Sequence, residues 1–312
     1  MTKKSSKHWL IRIVVYAVLI FALARVYYRL TDDFRVGNIT YAIEYPKEWE
    51  IPPLSEEEQK KLDVLLNQKF TYLGKGAQSY VFTSEDQQYV LKFFKFKHLR
   101  PVWYIRWMPD IAPLSSFLQK ESRRKERKLN DVFTGYKLAY DLHREASGLF
   151  FIQLVPSRHP KLITVYDKIG LPRTIDLGEV VYVIQKKGES LRTVLARLLN
   201  LGDIPLAKKR IRQIFDMYLS EYSKGVYDHD HGVVRNAGFI GDEPLHLDLG
   251  KFYRKESMKQ PEVQRDDLIL VATKIDEWLH SHFPEEHKVL SHYMEQQISD
   301  IYGTSFQFPQ RS

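Results

Sequence analysis

Cysteine is absent from the 312 residues, which excludes a disulfide framework, a thiolate metal site and a thiol nucleophile. The redox compartment is left open. No internal repeat and no low-complexity tract is visible, which removes repeat architectures from consideration. Nor does any nucleic-acid reader motif accompany the net charge of +8, from 47 Lys and Arg against 39 Asp and Glu, so no nucleic-acid partner is expected. The basic residues cluster before Ile11, at Lys92–Arg100 and at Arg123–Lys128. Such clusters suit phosphates or anionic lipid, or serve as solvated faces and flanks of a membrane segment. Apolar content is ordinary for a globular chain with a core, and the length fits one large domain or two smaller ones.

One long apolar run is present. From Trp9 to Tyr28 only Arg12 and Arg25 interrupt it, and about 20 such residues span a bilayer as a helix. Trp9, Tyr27 and Tyr28 fall where interfacial aromatics fall, and both arginines lie near enough to an end to snorkel. Ala22-Leu23-Ala24 imitates a signal-peptidase site, but Arg25, Tyr27 and Tyr28 follow at once, which favours an uncleaved anchor.

The expected organisation is a basic flank over 1–8, a transmembrane helix over 9–28 and a linker over 29–66. Prolines 46, 52 and 53 punctuate the linker, and Ser55 followed by three glutamates predicts a capped helix through Leu66. Strands are expected at Phe70–Leu73, Ser79–Thr83 and Gln88–Phe94, then at Lys161–Asp167 and Val180–Gln185. Lys97–Ser115 reads as an irregular insertion, and Phe117–Glu145 as one or two helices whose aromatics belong to the core. Helices are expected at Ser190–Leu201, Pro205–Ser223, Asp266–Phe283 and Glu286–Tyr302, with His280, His282 and His287 at surface helix ends. A strand-rich first half and a helix-rich second half make an α+β protein in two lobes, 67–187 and 188–312.

Several segments carry candidate chemistry. Gly74-Lys75-Gly76 lies between two expected strands, where small residues admit a triphosphate to the backbone N–H groups; an ordinary hairpin turn uses the same residues. Lys92 sits on an otherwise apolar strand, either to meet phosphate oxygens or to snorkel. Beyond a helix come Asp228-His229-Asp230-His231 and Asn236, then Asp248-Leu249-Gly250. Asn236 and Asp248 offer hard oxygen donors for Mg²⁺, and a further carboxylate can take a proton from a hydroxyl. The same Asp-His-Asp-His run has the ligand types of a transition-metal site, although adjacent residues rarely converge on one ion.

In this order the blocks resemble the protein-kinase superfamily: a glycine-rich loop (Gly74, Gly76, Val81), a strand lysine (Lys92), a catalytic-loop Asp and Asn (Asp230, Asn236), and Asp248-Leu249-Gly250 in place of Asp-Phe-Gly. The resemblance covers about residues 68–255 and leans toward divergent bacterial kinase-like proteins, such as those of chlamydia-like bacteria. It implies a bilobal fold and ATP with Mg²⁺ as cofactors. Lys92 would hold the α- and β-phosphates, Asn236 and Asp248 the metal, and Asp230 the acceptor hydroxyl, with Gln185 at the adenine hinge. Glu126, in preference to Glu121, would pair with Lys92.

The chain also departs from the pattern. Ser79 replaces the third loop glycine, Asp230 stands one residue too early relative to Asn236, with His231 at the usual position, and no Ala-Pro-Glu follows Asp248. A phosphotransferase with an unknown protein, lipid or saccharide acceptor and an inactive, membrane-tethered pseudokinase are therefore both carried forward. Lys3, Lys4, Lys7 and Arg12 would keep the N-terminus in the cytoplasm, whereas Arg25, Arg29 and Arg35 weaken that bias. Because ATP is cytoplasmic, a single-pass protein with a cytoplasmic domain is expected.

Overall fold

The computed structural model describes residues 3–40, 45–96 and 112–309. The fold is α+β, with a mixed β-sheet, helices and one apolar N-terminal helix. In chain order the elements begin with α1 (Lys3–Leu30), α2 (Val36–Ile39), α3 (Glu56–Leu66), β1 (Phe70–Lys75), β2 (Ser79–Ser84) and β3 (Tyr89–Phe94). Then come α4 (Ala112–His143), β4 (Leu149–Gln153), β5 (Leu162–Tyr166), β6 (Pro172–Asp176), β7 (Tyr182–Lys186) and β8 (Glu189–Ser190). The remainder is α5 (Leu191–Asn200), α6 (Ile204–Ser223), β9 (Val226–Asp228), α7 (Val233–Asn236), β10 (Ala237–Ile240), β11 (Glu243–His246), β12 (Phe252–Arg254), α8 (Pro261–His282) and α9 (Pro284–Tyr302). The chain forms two compact units, one of Met1–Tyr45, Pro52–Arg100 and Val155–Tyr182, the other of Pro46–Ile51, Pro101–Leu154 and Val183–Ser312.

In the first unit, Trp9–Leu30 of α1 is a 22-residue stretch of mean hydropathy 2.2 with none of it buried, long and apolar enough to cross a membrane. The helix stops at a sharp corner. Asp32 and Asp33 both adopt left-handed backbone, at φ 50 and 63, a conformation that aspartate tolerates better than most side chains. Asn38 Nδ2 and Tyr80 Oη both donate to the Asp33 carbonyl, at 2.7 and 3.0 Å. The corner delivers Phe34 edge-on to Tyr80 and Phe82, with ring centroids 5.1 and 4.8 Å away. Phe34 is fully buried, which is worth about 1.5–3 kcal/mol and offsets the corner's strain.

The strands of this unit run in the order β3-β2-β1-β5-β6. All these pairings are antiparallel except β1 with β5. Helix α3 starts on a capping box in which Ser55 and Glu58 exchange hydrogen bonds, as the serine followed by glutamates predicts.

In the second unit, α5, α6, α8 and α9 share a core that includes Leu195, Ile214, Phe215, Val271, Ile275 and Met294. Helix α4 buries Val132, Phe133, Tyr136 and Ala139, an i, i+1, i+4, i+7 face of the kind that periodicity predicts. Trp49 meets Phe133 edge-on at 4.8 Å. Strands β4 and β7 are neighbours, β11-β10-β8 form a small sheet, and β12 pairs with β9.

Several details differ from the sequence expectation. The stretch expected as a linker holds buried Phe34, Ile39 and Trp49. The loop around Pro172 is strand β6, which the proline opens from its first position, where no ladder donor is lost. Strands β9 and β12, three residues each, are too short to leave a periodic signature, and β4 is also not among the strands expected. Helix α8 begins at Pro261, five residues ahead of Asp266, because proline at a first helical position is preset for the helix. His287 is not a bare surface residue: its Nε2 lies 2.8 Å from Oδ1 of buried Asp276. Most of the expected insertion at Lys97–Ser115 falls outside the described residues.

Candidate functional site

The first unit places the glycine-rich turn and the strand lysine in one row. Gly74 stands opposite Val81, and Val81 opposite Lys92, across β1, β2 and β3. Directly paired residues in a sheet project to the same face, so Val81 and Lys92 share theirs. Lys92 is buried. A bulge between Tyr72 and Gly74 shifts the register just before the turn. The turn is braced from β3's end, where Lys95 donates its backbone N–H to Gln78 and its ammonium to the Gly76 carbonyl. From the first unit's other side, Lys75 Nζ lies 3.0 Å from Asp32 Oδ1. A Cβ at Gly74 would meet nothing within 4 Å, and one at Gly76 only Ser79 Oγ at 3.8 Å. Packing therefore does not demand glycine at either position.

The second unit brings Asp230 and Asn236 together. Asn236 Nδ2 donates to Asp230 Oδ2 at 3.0 Å, and Lys251 Nζ donates to Asp230 Oδ1 at 2.8 Å. Hydrogen bonding to Asp230 raises the Lys251 pKa despite partial burial. The backbone N–H of Asp230 is capped by Asp228 Oδ1 at 3.0 Å. His231 takes the odd residue out of the loop: at φ 48 it turns away, and its Nε2 lies 2.8 Å from Asp267 Oδ1 on α8. Tyr222 Oη donates to the other oxygen of Asp267 at 2.6 Å. A Cβ at Gly232 would come within 2.8 Å of Asn236 Nδ2, so a side chain there would push on the Asn236 amide.

Asp248 is tied to the same loop, since the Asn236 carbonyl accepts the backbone N–H groups of Leu247 and Asp248. Asp248 Oδ1 accepts Gly250 N–H at 3.1 Å and, more weakly, Tyr136 Oη at 3.4 Å. Among the described residues no hydrogen bond falls on Asp248 Oδ2 or on Asn236 Oδ1. These two hard oxygens fit an ion such as Mg²⁺ in donor chemistry. The Asp-His-Asp-His run does not converge: Asp228 is buried, His231 turns to Asp267, and His229 faces Tyr227 and Tyr253. Among the described residues no group of three His, Asp or Glu side chains is placed to hold a metal.

Helix α4 presses directly on this segment at Gly135. A Cβ there would stand 2.5 Å from the Leu249 carbonyl and 3.2 Å from Phe252 N, both backbone atoms that cannot swing aside. Gly135→Ala is expected to displace the Asp248–Phe252 segment and to destabilise the fold by about 1–3 kcal/mol, read from paired denaturant melts. An unchanged midpoint would mean that the segment yields freely.

Beneath the loop lies a buried ionic network. Glu221 of α6 sits 2.9 Å from His246 Nε2 and 3.1 Å from His143 Nε2. The second contact has ion-pair range but lies off-line for a hydrogen bond. Lys224 Nζ is 2.9 Å from the other nitrogen of His143, and His246 Nδ1 is 3.8 Å from Asp228 Oδ2. Burial pushes the Glu221 pKa up, but His246 and His143 together bring it below its ordinary value. For His246, burial pulls down and the Glu221 carboxylate more than compensates, so its pKa is raised.

Asp228 answers to burial first, which pushes it up to about 6 against His246's opposing pull. A carboxyl that holds its proton more tightly when folded costs stability once ionised. That cost is absent below the ordinary 3.8 and complete above about 6. Asp228→Asn keeps an acceptor for Asp230 N–H and is expected to stabilise the protein above pH 6, by at most about 3 kcal/mol. The gain should vanish near pH 4, and melts at both pH values check it.

Of the remaining sequence candidates, Gln185 is buried, with Nε2 donating to the Ser147 and His246 carbonyls, each at 2.7 Å. Any contact with a nucleotide base would fall to its main chain. Glu126 is exposed on α4, while Glu121 pairs with Arg124 at 3.3 Å. Sequence reasoning passed over Glu221, His246, His143, Lys251 and Asp267. One signal was present for Glu221: it is an acid on the apolar face of α6 formed by Phe215, Tyr218 and Tyr222.

With this geometry in view, the chain can be compared with solved structures. The chain is similar to WbdD. Its crystal structure matches with 14% identity and a TM-score of 0.34, over 71% of this chain and 43% of that one. The present chain thus spans less than half of WbdD's length. No protein-family model matches the sequence, and neither does any curated protein.

Proposed function

We propose that this protein is a membrane-anchored, kinase-like phosphotransferase of bilobal build that moves the γ-phosphoryl group of ATP to a hydroxyl. The observation that carries the reading is the 3.0 Å hydrogen bond between Asn236 and Asp230. It joins the candidate base to a candidate metal donor although the loop is one residue longer than the kinase pattern. In this reading Gly74 and Gly76 admit the phosphates to the backbone, consistent with the open space around both. Lys92, beside Val81, neutralises the α- and β-phosphates. Asn236 and Asp248 hold Mg²⁺, which when bound neutralises charge on the phosphates. Asp230 accepts the proton of the attacking hydroxyl. The acceptor is a protein, lipid or saccharide hydroxyl, and the domain is cytoplasmic.

Thermal melts of the full chain in detergent, with and without ATP and Mg²⁺, test the proposal. Nucleotide at 100 times its Kd should stabilise the wild type by about 2.7 kcal/mol, and Lys92→Ala and Asp248→Ala should abolish the shift. A wild type indifferent to ATP would remove the enzyme reading. A shift retained in Asp248→Ala would remove the metal assignment.

One observation favours a second reading, an inactive pseudokinase that serves as a binding module. Both oxygens of Asp230 already accept donors, from Asn236 and Lys251, so its capacity to take up a further proton is reduced.

A further inference from the structure

The β5–β6 hairpin ends in the tip Asp167-Lys168-Ile169-Gly170-Leu171. The backbone N–H groups of its last three residues are satisfied within the turn. Asp167, nearly fully buried, accepts the backbone N–H groups of Ile169 and Leu171 at 3.1 and 2.9 Å, and its carbonyl accepts Gly170 N–H at 2.8 Å. Gly170 makes the turn at φ 80. What faces outward is apolar, with Ile169 and Leu171 exposed by 43% and 44%. A turn with satisfied amides and an apolar rim loses little when it leaves water.

The tip is fixed against the end of the apolar helix. Arg173 of β6 grips Asp167 through Nε and Nη2, at 3.2 and 3.0 Å, and the same Nη2 donates to Tyr27 Oη at 2.6 Å. Lys168 Nζ lies 3.1 Å from Asp32 Oδ2. Tyr27 is three residues inside the end of the Trp9–Leu30 stretch, about 4.5 Å at the helical rise. The hairpin is therefore level with the last turn of the helix. Lys168 and Arg173 are held at this level by Asp32 and Tyr27, where anionic headgroups would meet them.

We infer that the 168–171 tip is a second membrane contact, inserting Ile169 and Leu171 into the headgroup–acyl boundary of the leaflet from which α1 emerges. The inference rests on the anchor reading above. Its occupant is the bilayer itself, because a hairpin bound to Tyr27 cannot be withdrawn from the interface while the helix spans it.

The absence of cysteine makes the test direct, since a single introduced thiol is unique. Ile169→Cys, Leu162→Cys at the exposed far end of β5, and Ile20→Cys within α1 are each made in the full chain and labelled with an environment-sensitive fluorophore. Each is then reconstituted in phosphatidylcholine vesicles containing phosphatidylglycerol. Shallow nitroxide-labelled lipid should quench the label at 169 and leave that at 162 unaffected, whereas iodide in the buffer should quench 162 and spare 169. Iodide quenching at 169 equal to that at 162, with Ile20→Cys lipid-protected, would overturn the inference alone. Iodide quenching at position 20 as well would instead overturn the anchor reading. Protection of 169 from both quenchers would place a protein over the tip and also overturn the inference.

Discussion

Asp230→Ala is expected to lower phosphoryl-transfer turnover by roughly 10²–10⁴-fold while nucleotide-dependent stabilisation persists. The split follows from the contacts. Asp230 touches Asn236 and Lys251, but the proposed phosphate contacts belong to Gly74, Gly76 and Lys92. Removing the carboxylate takes away proton acceptance and loosens one brace on Asn236, whose carbonyl still holds Leu247 and Asp248. The test is single-turnover transfer from ATP to water or to an added acceptor, beside the melts described above. Equal, near-background turnover in wild type and variant, together with intact ATP binding, would favour the pseudokinase reading. Turnover and binding lost together would mean that Asp230 supports the loop and is no base.

Glu221→Ala should lower stability by about 3–5 kcal/mol, the range for breaking a buried ion pair by removing one partner. Glu221 and His246 are fully buried and His143 nearly so, so the deleted carboxylate cannot be replaced by bulk water. Glu221→Gln retains the volume and one acceptor, and an intermediate loss is expected. The sign with pH follows from Glu221's depressed pKa. Its contribution is complete above the ordinary value of 4.5 and is lost as pH falls through the lower folded value. The gap between wild type and Glu221→Ala should therefore close in acid. Urea melts at neutral and acid pH measure it, and a neutral-pH loss below about 1 kcal/mol would show the contacts to be idle.

What could be read without coordinates was what repeats along the chain. The strands of the glycine-loop meander and the helices α5, α6 and α9 were legible within a residue or two, because their apolar periods are local. Contacts made over long separations were not. Phe34 reads as one aromatic in a polar, proline-broken stretch, and only Tyr80 and Phe82, more than forty residues on, make it core. Counting back from Asn236 points to His231, yet His231 bonds to Asp267, 36 residues later, and Asp230 takes the place beside Asn236. His246 sits in a short strand between two leucines and nothing local marks its partner, since Glu221 belongs to a different element.

The corner at Asp32 and Asp33 bears on any attempt to separate the sheet from the apolar helix. Cleavage after Leu30 would leave Thr31, which Tyr27 supports through its carbonyl, at a raw chain end. Cleavage after Phe34 would strip an aromatic plug from the rings of Tyr80 and Phe82. The apolar helix and the sheet thus have no seam between them, and a shortened version would have to keep the last turn of the helix, whose Tyr27 holds both Thr31 and Arg173.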